Sequence, residues 1–243
     1  MRKFCYLIIS FRNIITVLIC VVLCLCAVIG YDVINNYKAA SLSLTKKPTV
    51  IIDAGHGGED GGTVSESGVV EKDINLKIAE KLNNLFAKNG YNTVMIRKED
   101  KLIYDDGCNS IRSKKSSDLH NRLNIINENE NSVLISIHQN HYTESKYYGA
   151  QVFYSGNNPK SEALAQCIQG NIVLTLQPEN KRQIKKSGSE IFILNNAKVP
   201  AVMVECGFLS NHSEALLLNT EEYQDKMAEC IFKATNLFII NGK

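Results

Sequence analysis

The 243-residue chain has no tryptophan, only five histidines and a net charge of only +2. So small an excess of charge gives no argument for a nucleic-acid partner. With so few histidines, each one is worth locating. Beyond the first 26 residues, Cys108, Cys167, Cys206 and Cys230 form no C-x-x-C pair, so zinc-finger and thioredoxin readings fail. Scattered cysteines usually behave as small buried hydrophobes, although a disulfide stays open if the body is exported. No internal repeat and no low-complexity segment is present. A hydrophobic fraction of 44% and a charged fraction of 21% are ordinary for a globular protein. The length suits one sizeable domain with an appendage.

The appendage is at the amino end. Residues 14–30, IITVLICVVLCLCAVIG, carry no charge over 17 positions, the short end of what a membrane span needs. Arg2, Lys3 and Arg12 precede the run, and Asp32 and Lys38 are the first charges after it. That asymmetry puts the amino terminus in the cytoplasm and the body outside. A cleaved signal peptide competes, with Val28 and Gly30 as small residues, but a clear A-x-A site is missing. The expected organisation is a basic terminus over 1–13, a signal-anchor over 14–30, a linker over 31–47 and a catalytic domain over 48–243.

The body is organised around TVIIDAGHGGEDGGTVSESGVVE, residues 49–71. An apolar run ends at Asp53, and His56 follows among small residues. A strand that stops in a glycine-rich loop places that histidine at the carboxyl edge of a sheet, where open α/β folds hold their sites. The stretch lacks both G-x-G-x-x-G and a Walker Lys-Ser/Thr, which demotes a phosphate cradle. A metal site with His56 as first ligand and a tight turn with a surface histidine remain.

Downstream, Ile74, Ile78, Leu82, Leu85 and Phe86 have helical spacing, with Glu71 in the first turn and Gly90 as a cap. Residues 92–97 read as a strand, 98–117 as a polar surface loop with a solvated basic cluster, and Leu119 to Ile126 as a second helix. SVLISI, residues 132–137, has the continuous apolar character of a buried parallel strand, and it ends at His138. GAQVFY (149–154) reads as a strand, 159–174 as a helix, 177–189 as a mobile loop and 191–194 as a short strand. PAVMV (200–204) is a further buried strand, delivering Glu205, and a last helix spans 221–239. Alternating strands and helices argue for a single α/β domain with a mostly parallel twisted sheet flanked by helices.

His56, Glu71, His138 and Glu205 therefore lie at strand or helix ends. Two imidazoles and one carboxylate make a catalytic zinc set with an open position, and a further carboxylate is needed to move the proton. Spacing leaves open which glutamate is the ligand.

Five motifs, VIIDAGHGGEDGG, VVEKDINLKIAEKL, VMIRKED, LHNRLNIIN with SVLISIHQN, and VPAVMVECGFLSN, resemble in order the zinc-dependent N-acetylmuramoyl-L-alanine amidases of the amidase-3 type, over residues 49 to about 240. The resemblance implies a zinc ion held by His56, Glu71 and His138, with Glu205 as general acid/base. It implies hydrolysis of the amide between the lactyl group of muramic acid and L-alanine in peptidoglycan. Asn140 is a candidate substrate contact, with loop capping as its alternative. Arg122 is expected to be a structural ion-pair partner, His141 a surface residue and Cys206 a packed core residue. The segment DDGCNSIRSKKSSDLHNR resembles an insertion of the sporulation-specific branch, which helps form muramic-δ-lactam in spore cortex; that implies work in the forespore intermembrane space. Wall-binding repeat modules common in the family are missing, which raises the expectation of an activating or localising partner protein. The rival reading is a non-catalytic peptidoglycan-binding or regulatory domain on the same fold; a third is a zinc peptidase or deacetylase acting on other wall bonds.

Overall fold

In a computed structural model, residues 18–32 and 47–242 are described. The chain divides into two compact units, residues 1–46 and 47–243. In the first, residues 18–32 form a helix whose large apolar side chains, from Leu18 to Ile29, are exposed. Among the described residues no helix is long and apolar enough to cross a membrane. The expected span begins at residue 14, so its first residues, the basic terminus and most of the linker lie outside the described residues.

The second unit is a six-stranded sheet flanked by helices. Its strands are β1 (Thr49–Ala54), β2 (Thr93–Met95), β3 (Ser132–Asn140), β4 (Gln151–Tyr154), β5 (Lys185–Lys186) and β6 (Ala201–Phe208), in the order β2-β1-β3-β6-β4-β5. The four strands from β2 to β6 run parallel, whereas β4 lies antiparallel to β6 and carries β5 parallel to itself. The sheet is thus mixed. The direction of β4 is set by pairing with β6, which sequence alternation does not encode.

The helices are α1 (Glu71–Lys88), α2 (Ile111–Asn127), α3 (Lys160–Thr175), α4 (Phe192–Asn196), α5 (His212–Leu218) and α6 (Glu221–Ile240). Ile74, Ile78 and Leu82 recur every four residues on α1 and are fully buried, the stripe a sheet-covering helix needs. Its end is a Schellman motif: the Gly90 amide donates to the Ala87 carbonyl and the Tyr91 amide to that of Phe86, with the rings of Phe86 and Tyr91 5.3 Å apart. Gly90 takes φ +72° there, a conformation glycine adopts without strain.

One face of the sheet is apolar up to Ala54, Ile137 and Cys206. Val50, Ile52 and Ala54, then Val133, Ile135 and Ile137, then Val202, Val204 and Cys206 pack into one core with α1, α3 and α6. The opposite face starts apolar, with Ile51, Leu134, Ala201 and Met203 against Ile126 of α2 and Ile193 and Leu194 of α4. It turns polar toward the carboxyl edge.

Three expected elements differ. Residues 98–117 do not stay a loop: α2 starts at Ile111, because Ser110 accepts from the Ser113 amide and Ser113 reaches back in a capping box. Nothing in IRSKKSS has apolar periodicity, so the helix is invisible upstream of Leu119. Residues 191–194 are no strand: Ile191 caps α4 and residues 192–194 are its first three residues, a run too short for periodicity to decide. The 177–189 segment supplies β5, and α5 has no counterpart among the expected elements; its start is capped by Asn211, which accepts from the Glu214 amide.

Candidate metal centre

Strand parity builds the site. Asp53 pairs with Ser136, and His138 pairs with Glu205, so these four residues continue the second face beyond Ile51, Leu134 and Met203. His56 enters from the loop after β1 and Glu71 from the first turn of α1.

The donors converge on Glu71. His56 Nε2 lies 3.2 Å and His138 Nδ1 3.1 Å from Glu71 Oε1, and donor atoms of the three residues lie within 4.8 Å of one another. The backbone is cleared for them. A Cβ at Gly55 would overlap the His138 ring, and one at Gly62 would stand 2.5 Å from Glu71 Oε2. His56 itself has φ +64°, the one non-glycine residue in that region among the described residues. Such strain persists only where surroundings over-determine it, and here two buried arginines do so. Arg122 donates to the carbonyls of Ala54 (2.9 Å) and His56 (2.8 Å); Arg97 donates to those of Ala54 (2.8 Å) and Gly55 (3.0 Å).

Two of the three donors, His56 and Glu71, are oriented from behind. Asp60 Oδ2 holds His56 Nδ1 at 2.8 Å, which turns Nε2 toward Glu71, and Lys115 holds the other Asp60 oxygen at 2.9 Å. Asp60 thus stands where carboxylates orient metal-binding histidines. The Thr63 amide donates to Glu71 Oε2, and the Gln139 amide and Asn75 Nδ2 donate to Oε1. Behind them Gln139 Nε2 donates to Asn75 Oδ1 at 3.0 Å.

The electrostatics follow. Burial works against protonation of His56, yet the hydrogen bonds and charges of Asp60 and Glu71 outweigh it and push the imidazole up to about 9. Burial alone would raise Asp60 and Glu71; the imidazoles, with Lys115 for Asp60, hold both well below the carboxylate range. Glu205 behaves oppositely. Its residue is part-exposed, but Oε2 is sealed and has no hydrogen-bond partner among the described residues. Burial, reinforced by the Glu71 charge against the two imidazoles, pushes its carboxyl up to about 7.

The donor set fits a zinc ion: two neutral-capable imidazole nitrogens, one ionised carboxylate and a buried orphan oxygen alongside. A cavity of about 140 Å³ opens on His56 and His138, lined also by Lys115, Leu119 and Ile193.

Of the residues named from sequence, His56, Glu71, His138 and Glu205 meet here. Asn140 closes β3, its carbonyl accepting from the Leu209 amide; among the described residues its side chain makes no hydrogen bond, so it caps no loop. Arg122 is the ion-pair partner expected, bonded to Asp53 at 2.5 Å and Asp118 at 2.6 Å. Cys206 is fully buried, and burial drives its thiol up. His141 is exposed. The basic cluster is not simply solvated, since Lys114 pairs with Glu59 and Lys115 with Asp60. Asp60, Arg97, Asn75 and Gln139 join the site without being among the residues named from sequence. The carboxylate four residues after His56 was the available signal for Asp60.

The chain is similar over most of its length to known proteins. The germination-specific N-acetylmuramoyl-L-alanine amidase of Bacillus subtilis is 36% identical over 205 residues, 84% of this chain and 85% of that protein. The CwlD amidase of Clostridioides difficile, solved in complex with the GerS lipoprotein, superposes with a TM-score of 0.76 at 38% identity, over 79% of this chain and 98% of that one. A second N-acetylmuramoyl-L-alanine amidase, from Clostridium difficile 630, gives 0.69 at 32% identity over 80% and 97%. Residues 50–236 match the family described as N-acetylmuramoyl-L-alanine amidase, and the chain belongs to that family of peptidoglycan-hydrolysing enzymes, in its amidase-3 type.

Proposed function

We propose that the chain cuts the amide between the lactyl group of N-acetylmuramic acid and L-alanine with one zinc ion held by His56, Glu71 and His138. The observation that carries this is the convergence of those three donors beside the unpartnered Glu205 oxygen. Zinc at such a site supplies Lewis-acid polarisation of water and of the scissile carbonyl. The chain's own residues do the rest. Asp60 fixes the tautomer of His56. Glu205, one strand from His138, takes the proton of the attacking water and hands it to the departing L-alanine nitrogen. Asn140, on the same edge, touches the substrate in this reading.

The setting belongs to the same proposal. The germination-specific relative and the CwlD neighbour support a role in spore cortex. The complex of CwlD with a lipoprotein supports a partner protein here. The basic residues before position 14 and the exposed apolar side chains on residues 18–32 support an anchor over 14–30, with the catalytic domain on the extracytoplasmic side.

The test joins metal content to product analysis. Purified protein is assayed for zinc, then incubated with peptidoglycan with and without a chelator. One zinc per chain and new L-alanine amino termini, abolished by the chelator, are expected. Cleavage that survives complete zinc removal would overturn the metal assignment.

A further inference from the structure

A second built feature stands on the same face, on the far side of Glu205 from His138. Gln151 of β4 is the cross-strand partner of Glu205. A bulge in β6 follows: Glu205 pairs with His138, but Asn140 pairs with Phe208. Three residues of β6 oppose two of β3 there, so Phe208 returns to the face that carries Glu205. Arg182, from the segment before β5, bridges the two. Its guanidinium lies 4.4 Å above the Phe208 ring, Nη1 donates to Gln151 Oε1 at 3.1 Å, and Nε donates to the Tyr148 carbonyl at 3.0 Å.

Every contact that fixes this cation is neutral. Among the described residues no carboxylate is in ion-pair range. Glu214, which senses the Arg182 charge, has its oxygens engaged by the Gly149 and Phe208 amides. Nη2 is left with no partner among the described residues. A cavity of about 370 Å³ opens beside it, lined by Tyr148, Glu179, Asn180, Lys181 and Arg182. The His56 side of the site is the opposite case, since Lys114 and Lys115 are neutralised by Glu59 and Asp60. A planar guanidinium pre-set on an aromatic ring with free donors matches a carboxylate. The two halves of the substrate differ in the same way: the glycan is uncharged, and the peptide carries free carboxylates.

We propose that Arg182, seated on Phe208 and tied to Gln151 beside Glu205, binds a free carboxylate on the peptide half of the substrate. The peptide therefore leaves the reacting centre over β4 and β5, and the glycan lies toward the His56 loop. This rests on the amidase assignment.

Two measurements separate the two. The metal-loaded full chain is assayed on N-acetylmuramoyl-L-alanyl-D-glutamyl peptides whose glutamate carries either a free α-carboxylate or a carboxamide. Binding of the released L-alanyl peptide, as acid and as amide, is titrated in parallel and needs no turnover. Arg182→Gln is expected to raise KM for the acid by about tenfold, the scale of a lost charge-assisted bond, with kcat retained and the amide scarcely affected. Arg182→Lys should recover part of the acid preference. An Arg182→Gln effect equal on acid and amide, or none on either, overturns the subsite while leaving an active amidase in place. Arg182-dependent binding of the acid peptide by a chain that cleaves neither substrate upholds the subsite and sinks the amidase assignment. Thermal melting confirms that both variants fold.

Discussion

The two faces of one sheet are made from alternate residues of the same strands, and they do opposite work. On the face under α1, α3 and α6, every inward position of β1, β3 and β6 up to Ala54, Ile137 and Cys206 is apolar. On the other, the strands begin apolar at Ile51, Leu134 and Met203 and end at Asp53, Ser136, His138 and Glu205. Long amphipathic helices seal the first. The second is covered by α2, whose buried stripe is Asp118, Arg122 and Ile126, and by the five-residue α4. Burying polar groups costs stability unless each is paired. Asp53 is paired twice, by Arg122 and by Ser136 at 2.7 Å. Among the described residues Glu205 Oε2 is unpaired, as are Gln139 Oε1, Gln224 Oε1 and Thr235 Oγ1 away from this face; of these, Glu205 is the one to which proton transfer is assigned.

The sharpest break is chemical. Glu205→Gln should keep zinc and lose turnover by about 10²- to 10⁴-fold, the range for a general acid/base, whereas His56→Ala should lose both. Product release and metal content measured on the two variants check this; a Glu205→Gln enzyme near wild-type rate would remove the residue from its role. On stability, Arg122→Ala should be the most costly change on the polar face, about 3–5 kcal/mol, because it strands the buried Asp53 and Asp118 charges. Urea unfolding reads it out. Ile135→Ala, on the apolar face, should cost about 2–5 kcal/mol while metal content per folded molecule stays unchanged. Equal loss of zinc in Ile135→Ala would mean the faces are not separable.

Smaller effects sharpen the same contrast. Asp60→Asn should weaken zinc binding by about 10- to 100-fold, seen by competition with a chromogenic chelator. The pH response of the metal-free chain has a fixed sign. His56 is raised from 6.5 to about 9, so its contribution is fully present below pH 6.5 and is lost as pH rises through 9. Asp60 and Glu71 are lowered from 3.8 and 4.5, so theirs is present above pH 4.5 and lost in acid. Melting temperature of the metal-free chain should therefore peak between about pH 4.5 and 6.5 for this cluster. Zinc must displace the His56 proton, so its affinity should rise by about tenfold per pH unit up to 9. A metal-free melting curve that is flat from pH 6.5 to 9 would contradict the His56–Asp60–Glu71 geometry.

Legible in the linear chain are features that repeat along it or are written in local chemistry. Apolar runs ending in single functional residues gave β1, β3 and β6 with His56, His138 and Glu205 at their ends, and four-residue spacing gave α1 with Glu71 in its first turn. The rest depends on contacts between segments far apart in the chain. The reversed direction of β4 comes from pairing with β6, and α2 begins in a stretch with no apolar stripe because a serine cap and ion pairs to the glycine loop hold it. Asp60, Arg97 and Arg122 act on His56 through backbone carbonyls and a ring nitrogen, contacts that span 4 to 66 positions and leave no periodic trace. The bulge that returns Phe208 to the face carrying Glu205 is a single extra residue in β6. No pattern of residue types announces it, because it exists only as a mismatch between two strands once they are paired.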